Sequence, residues 1–174
     1  MATTTTVAMR LHAVSDGGDM VEAVSDEQNR PANREPEAFE VALRWGDQDS
    51  LGHINNVMIA RIVEESRVRA FDTWFGAARS DFWTVLARQE IEFVNILHYD
   101  VRPVSVQVWV SRIGNSSFDT ACRIIDPNGQ VAAVSETTLT AFDPGTGRPF
   151  PLPDAARAGL SARLGDPVPL RSRR

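Results

Sequence analysis

Between residues 37 and 145, apolar and polar positions alternate along most of the chain, and one segment breaks the alternation. Phe39, Val41, Leu43 and Trp45 recur at every second residue, the period of a half-buried strand. Asn55 to Phe75 instead carries Val57, Met58, Ile59, Ile62, Val63, Val68, Ala70, Phe71, Trp74 and Phe75 with no Gly or Pro among them. That spread predicts one long helix covered on most sides. Asn55 or Asn56 is its expected N-cap and Gly76 the residue just past its end. Strand character returns over Trp83 to Leu97, and then Val104, Val106, Val108 and Val110 alternate with Ser105, Gln107, Trp109 and Ser111. Phe118 to Ile125 follows a Gly114-Asn115 turn, and Val131 to Phe142 follows the turn Asp126-Pro127-Asn128-Gly129. Asp154 to Leu164 reads as a short Asp-capped helix.

The order is strand, long helix, then four strands expected in hairpin succession. Short connections require an antiparallel sheet. One largely apolar helix beside one sheet of long strands is best buried if the sheet curls around it, which predicts an α+β fold. The far side of such a sheet stays partly apolar, and homodimerisation is expected to cover some of it. Residues 1–36 lack apolar periodicity and are expected to be a disordered N-terminal tail; residues 146–174 form a Pro- and Arg-rich extension carrying the short helix.

Composition narrows the function classes. A chain of 174 residues with 43% hydrophobic content suits a soluble single domain with a real core. A net charge of −5 argues against nucleic acid as a partner, which needs a dense basic face. No apolar run approaches the ~20 residues that span a bilayer. Val7 to Val14 is broken by Arg10 and His12, so no signal sequence is expected and the location predicted is cytoplasmic. All 18 basic residues are Arg, which excludes Schiff-base chemistry and a lysine base. Cys122 is alone, so neither an internal disulfide nor a thiolate metal cluster forms. His12, His53 and His98 have no ligand spacing, and no metal or other cofactor is expected.

The densest chemistry is Asp47-Gln48-Asp49-Ser50-Leu51-Gly52-His53-Ile54-Asn55-Asn56, between the first strand and the helix. A strand-to-helix junction can aim side chains and free backbone N–H groups at one reacting atom. With Arg44-Trp45-Gly46 in front, this stretch resembles the hotdog-fold acyl-CoA thioesterases of the 4-hydroxybenzoyl-CoA thioesterase-like group. The resemblance continues through Glu64-Glu65-Ser66-Arg67 and resumes at Gly145-Thr146-Gly147-Arg148-Pro149-Phe150-Pro151-Leu152-Pro153. It spans roughly Glu37 to Leu160. It implies a hotdog fold over residues 37–145, a long central helix wrapped by a curved antiparallel sheet of about five strands. It also implies hydrolysis of acyl-CoA thioesters by a homodimer or a dimer-of-dimers tetramer, with active sites built from two chains. In such proteins the second Asp of the pair is catalytic, and it corresponds to Asp49. Related acyl-carrier-protein thioesterases add a His four residues later, here His53, and an Asn between the two, where this chain has Leu51. Other relatives have His at the place of Asn56.

Thioester hydrolysis needs a carboxylate that attacks the carbonyl or activates water, and N–H donors where the oxyanion forms. Asp49 is the candidate for the first role, with His53 and Asn56 beside it. The N–H groups around Asn55, Asn56 and Val57, at the positive end of the helix dipole, are candidates for the second. The bland alternative makes Asp49 a turn former that hydrogen-bonds nearby N–H groups. Asp47 reads as scaffold, pairing with Arg44 or holding the loop. Glu64 and Glu65 read as ion-pair partners of Arg67 and Arg69. Arg102, Arg112, Arg123, Ser116 and Ser117 are candidates for CoA contacts. Met58, Ile62, Trp83 and Phe93 are candidates for the acyl pocket. The rival readings are a non-catalytic acyl-CoA or acyl-ligand binding protein, which Leu51 favours, and a hotdog hydratase, which the Asp/His spacing disfavours.

Overall fold

The computed structural model describes residues 35–76 and 83–171, so the predicted N-terminal tail lies, apart from Glu35 and Pro36, outside the described residues. All elements below belong to the unit Pro31–Arg174. β1 (Glu37–Val41) leads through a 3-10 turn (Trp45–Asp47) to α1 (Asn56–Phe75), then come β2 (Trp83–Phe93), β3 (Val104–Ile113), β4 (Ser117–Ile125), β5 (Val131–Asp143), β6 (Arg148–Pro149) and α2 (Asp154–Ser161). The sheet is antiparallel in the order β1-β3-β4-β5-β2, with β6 added to β5. Its strands carry register shifts at Leu86/Arg88, Val110/Arg112 and Ile124/Ile125, irregularities that bend a sheet.

α1 begins where the sequence places it. Asn55 is the N-cap, its Oδ1 accepting from the Val57 N–H at 3.0 Å, and Gly76 closes the helix at φ +49°. Ile59, Ile62, Val63, Ala70, Phe71, Trp74 and Phe75 are buried against Val104, Val106, Val108, Val110, Phe118, Cys122 and Ile124. The expected hotdog architecture, a helix held in a curved antiparallel sheet, is present.

Four expectations need correction. First, β1 stops at Val41 rather than Trp45, because the buried Asp47 carboxylate takes the Arg44 N–H and turns the chain; Trp45 is 77% exposed. Second, β2 and β3 are not a hairpin. β2 lies at the far edge on β5, and residues 94–103 cross the end of the sheet to reach β3. Third, the chain's own C-terminal segment covers part of the sheet's far face. Arg163 and Gly165 bond Val110 beyond the end of β1, and Val168 packs with Trp109, Ala121 and Val134. The Arg171 N–H then reaches Glu92 on β2. Fourth, the N-cap of α2 is Pro153 rather than Asp154.

The described part of the extension, residues 146–171, therefore contributes to the core. Leu152, Ala156 and Leu160 are buried, and Gly159 sits so close to the Phe75 ring that a Cβ there would approach it to 3.3 Å. Leu160 is fully buried, so Leu160→Ala should lower the unfolding free energy by about 2–5 kcal/mol. Urea denaturation measures this; a loss below about 1 kcal/mol would make α2 an appendage.

Candidate active site

The polar loop closes on itself as a small hairpin. Gln48 bridges Ile54, the Asp49 N–H donates to the His53 carbonyl at 2.8 Å, and the Asn55 N–H donates to the Asp47 carbonyl at 2.9 Å. At the tip the Gly52 N–H donates to the Asp49 carbonyl at 3.1 Å, and Gly52 sits at φ +75°, a conformation that favours glycine. The Asp49 side chain joins this turn. Its Oδ1 accepts from the N–H groups of Leu51 at 2.8 Å and His53 at 3.2 Å, while Oδ2 has no hydrogen-bond partner among the described residues. The His53 and Leu51 N–H groups hold the Asp49 carboxyl below the usual aspartate value. The turn-former role is thus real, and it leaves one carboxylate oxygen free.

Asp47 performs the scaffold work. Its Oδ2 accepts from the Arg44 N–H at 2.9 Å and pairs with Arg61 at 3.0 Å, so the cation partner is Arg61 on α1 and not the Arg44 side chain. Arg61 continues to Glu65 at 2.7 Å, and Glu65 pairs with Arg69, whose guanidinium reaches the Glu40 carbonyl on β1 at 2.5 Å. Glu65 therefore has Arg61 and Arg69 as partners. Glu64 is exposed.

Asp49, His53 and Asn56 line one cleft of about 240 Å³ together with Ile54, Ile59 and the segment Phe93 to Leu97. The crossing loop after β2 forms its second wall. The Ile54 N–H donates to the Leu97 carbonyl at 2.8 Å, and the rings of His53 and His98 meet edge to face at 5.2 Å. His98, whose Nδ1 lies 3.4 Å from the Gly52 carbonyl, is a neighbour of the site that no local spacing announces. Its only trace in the sequence is a connection after β2 too long for a tight turn.

At the mouth of α1 the donors are unequal. The Val57 N–H is used by the Asn55 cap, whereas the Asn56 N–H has no acceptor among the described residues. The free donor is therefore Asn56 alone, which corrects the expectation that included Val57. Leu51 is 75% exposed at the turn tip, outside the cleft lining. Of the four acyl-pocket candidates only Phe93 lines the cleft. Met58 is half-buried beside it, Ile62 lies fully inside the core, and Trp83 is 66% exposed at the other end of β2. Arg102 pairs with Asp100 at 2.7 Å and Arg112 with Asp119 at 2.6 Å; neither borders the cleft within this chain. Ser116 and Ser117 lie in the β3–β4 turn, bonded through their carbonyls to Ala141 and Gly114, also away from it. Cys122 is buried, which pushes its thiol up to about 12, so it supplies no thiolate at neutral pH. No helix among the described residues is long and apolar enough to cross a membrane.

A family model described as the thioesterase-like superfamily matches residues 43–160. A predicted thioesterase from Bacillus stearothermophilus is 30% identical, with 75% of this chain and 97% of that one covered at a TM-score of 0.68. A Thermus thermophilus thioesterase, solved with coenzyme A and Zn, is also 30% identical, with 76% and 98% covered at a TM-score of 0.64. A 1,4-dihydroxy-2-naphthoyl-CoA thioesterase from Synechocystis shares the fold at 16% identity, with 71% and 93% covered and a TM-score of 0.62. No curated protein matches the chain. With a family match running from the end of β1 to α2 and the helix-in-sheet architecture shared with these enzymes, the chain belongs to the thioesterase-like superfamily and is a hotdog-fold thioesterase.

Proposed function

We propose that this thioesterase hydrolyses acyl-CoA thioesters to a free acid and CoA, with Asp49 as the reacting carboxylate and the Asn56 N–H as oxyanion donor. The observation that carries the reading is that a free Asp49 oxygen and an uncapped helix N–H border the same cleft. The Asp49 anion either takes a proton from water as the water adds to the thioester carbonyl, or adds to that carbonyl itself. In both routes the carbonyl oxygen becomes an anion that Asn56 and the α1 dipole stabilise, and the C–S bond breaks as the oxyanion collapses. The thiolate leaves and takes up a proton from solvent; in the second route water then cleaves the Asp49 anhydride. His53 packs on the turn that orients Asp49 and donates its backbone N–H to Oδ1.

The Thermus thermophilus relative solved with coenzyme A supports CoA as the carrier. A homodimer is the proposed assembly. β2 is an open edge strand carrying exposed Trp83, Val85, Leu86 and Phe93, and Val94 and Ile96 follow it into the cleft wall. A second copy seated there completes the cleft and brings the charged loops of Arg102 and Arg112 within the reach of one assembly. The second reading, ligand binding without turnover, draws on Leu51, which adds no polar group to the cleft.

Asp49→Asn should abolish thiol release across a panel of acyl-CoAs, measured with a thiol reagent; activity equal to wild type would remove Asp49 from the chemistry. A wild type that binds acyl-CoA without releasing thiol would establish the second reading. Asn56→Pro is a sharper test of the oxyanion site. Proline suits the first helical position, and Asn55 at ψ 142° already has the extended conformation that precedes it. The substitution should leave the melting temperature near wild type and lower kcat by ~10²–10³, with Asn56→Ala retaining most of the rate. Because the Asp49 pKa is lowered, its carboxylate stays ionised as pH falls from neutral and gains its proton only below the ordinary value of ~3.9. The kcat/KM profile should accordingly show no acid limb from Asp49 above about pH 4. An acid limb well above that pH would remove Asp49 as the group whose ionisation limits the rate.

A further inference from the structure

Arg67 is the one cation in the α1 core face, only 8% exposed. No acceptor among the described residues bonds its guanidinium, and Nη1 is fully covered. Buried charges in folded proteins are paired almost without exception, so this group calls for a partner that the described residues do not provide. Burial pushes its pKa below the ordinary arginine value, against the pull of Glu64. Arg67 also lies close enough to Cys122 for each to shift the other's ionisation. Cys122 faces the helix and is registered directly opposite Ser135, whose hydroxyl is the second buried group of this region without a partner.

Both groups lie on a line that starts in the active-site cleft. On α1, Ile59 lines the cleft, and Ile59, Val63 and Arg67 follow at four-residue intervals down one face. Eight residues at 1.5 Å each put Arg67 about 12 Å further in. On the sheet, Phe93 lines the cleft opposite Ala133, and two residues along the same face Ile91 stands opposite Ser135. The path between is apolar, made by Ile59, Val63, Ile91 and Ala133, and Val63 is buried, so a chain entering from the cleft parts this layer. An apolar layer with a guanidinium and a hydroxyl beyond it is matched by an acyl chain with an anionic oxygen group at its far end.

We propose that Arg67 and Ser135 form the receptor for a terminal carboxylate on the acyl group, which makes dicarboxylic mono-CoA thioesters the favoured substrate class. The proposal rests on the thioesterase reading for its kinetic arm only.

Three CoA thioesters of equal length test it: suberoyl-CoA, 8-hydroxyoctanoyl-CoA and octanoyl-CoA. Wild type should favour suberoyl- over octanoyl-CoA about tenfold or more in kcat/KM, the discrimination one charge-assisted hydrogen bond supplies, with the hydroxy substrate between. Arg67→Met should bring that ratio to about one, Arg67→Lys should restore part of it, and Ser135→Ala should reduce it several-fold; each variant's melting temperature checks folding. Free suberate supplies a readout without turnover: calorimetry should show it binding wild type and not Arg67→Met. A wild type indifferent to the terminal group, or suberate bound equally by wild type and Arg67→Met, overturns the proposal. So does an Arg67→Met variant that changes oligomeric state in size-exclusion chromatography while the substrate ratio persists, which would place a carboxylate of a second copy on Arg67. If wild type releases no thiol from any acyl-CoA, the thioesterase reading fails on its own and suberate binding still decides the role of Arg67.

Discussion

The buried carboxylate of Asp47 ties the end of β1 to the start of α1, and the geometry of the site follows from that tie. One oxygen accepts both the Arg44 N–H and the Arg61 guanidinium, while the Asp47 carbonyl accepts the Asn55 N–H. Without the Asp47 carboxylate the Arg44 N–H would lose its acceptor and Arg61 would keep Glu65 alone. With Asp47 in place, the chain between it and Asn55 is short enough to be a closed hairpin, and Asp49 has little freedom left. Its own Oδ1 then consumes two N–H groups of the turn. The carboxylate is thereby oriented before any substrate arrives, and Oδ2 is the atom left over.

The second constraint is topological. Placing β2 on β5, at the opposite edge from β1, forces residues 94–103 to travel across the end of the sheet. That route brings Leu97 onto Ile54 and His98 onto His53, so the cleft has one wall from the loop before α1 and the other from the loop after β2. The same arrangement leaves β2 as an open edge with apolar side chains beside the cleft, which is why site and proposed subunit contact coincide. The outer face of the sheet is covered in part by the chain's own C-terminal segment running from Val110 to Glu92. The proposed assembly and the proposed chemistry thus share one edge of the sheet.

Much of the fold is legible because it rests on short-range physics. The 3.6-residue pattern from Val57 to Phe75, the Asn55 cap and the Gly76 stop are local, and α1 lies where they predict. Strand alternation with Gly and Asp-Pro turns likewise places β3, β4 and β5 nearly to the residue. Within the site, Asp49 and the helix mouth are legible from the ten-residue polar stretch, since cap and turn chemistry act over two to four residues. The role of Asp47 as scaffold is legible for the same reason, although its partner Arg61 stands fourteen residues away.

What the sequence determined by itself is therefore the long helix, the strands β2 to β5 and the family, together with the polar loop proposed to react. Only the tertiary structure decided that β2 avoids β3, that the C-terminal segment covers the outer sheet, and that the Val57 N–H is spent on the Asn55 cap while that of Asn56 is not. It alone brought His98 to His53 and buried Arg67 with no acceptor among the described residues. Periodicity and turn chemistry encode what happens along a few residues of chain. Pairings between distant strands and charges depend on which packing buries the most apolar surface, and no local pattern records that choice.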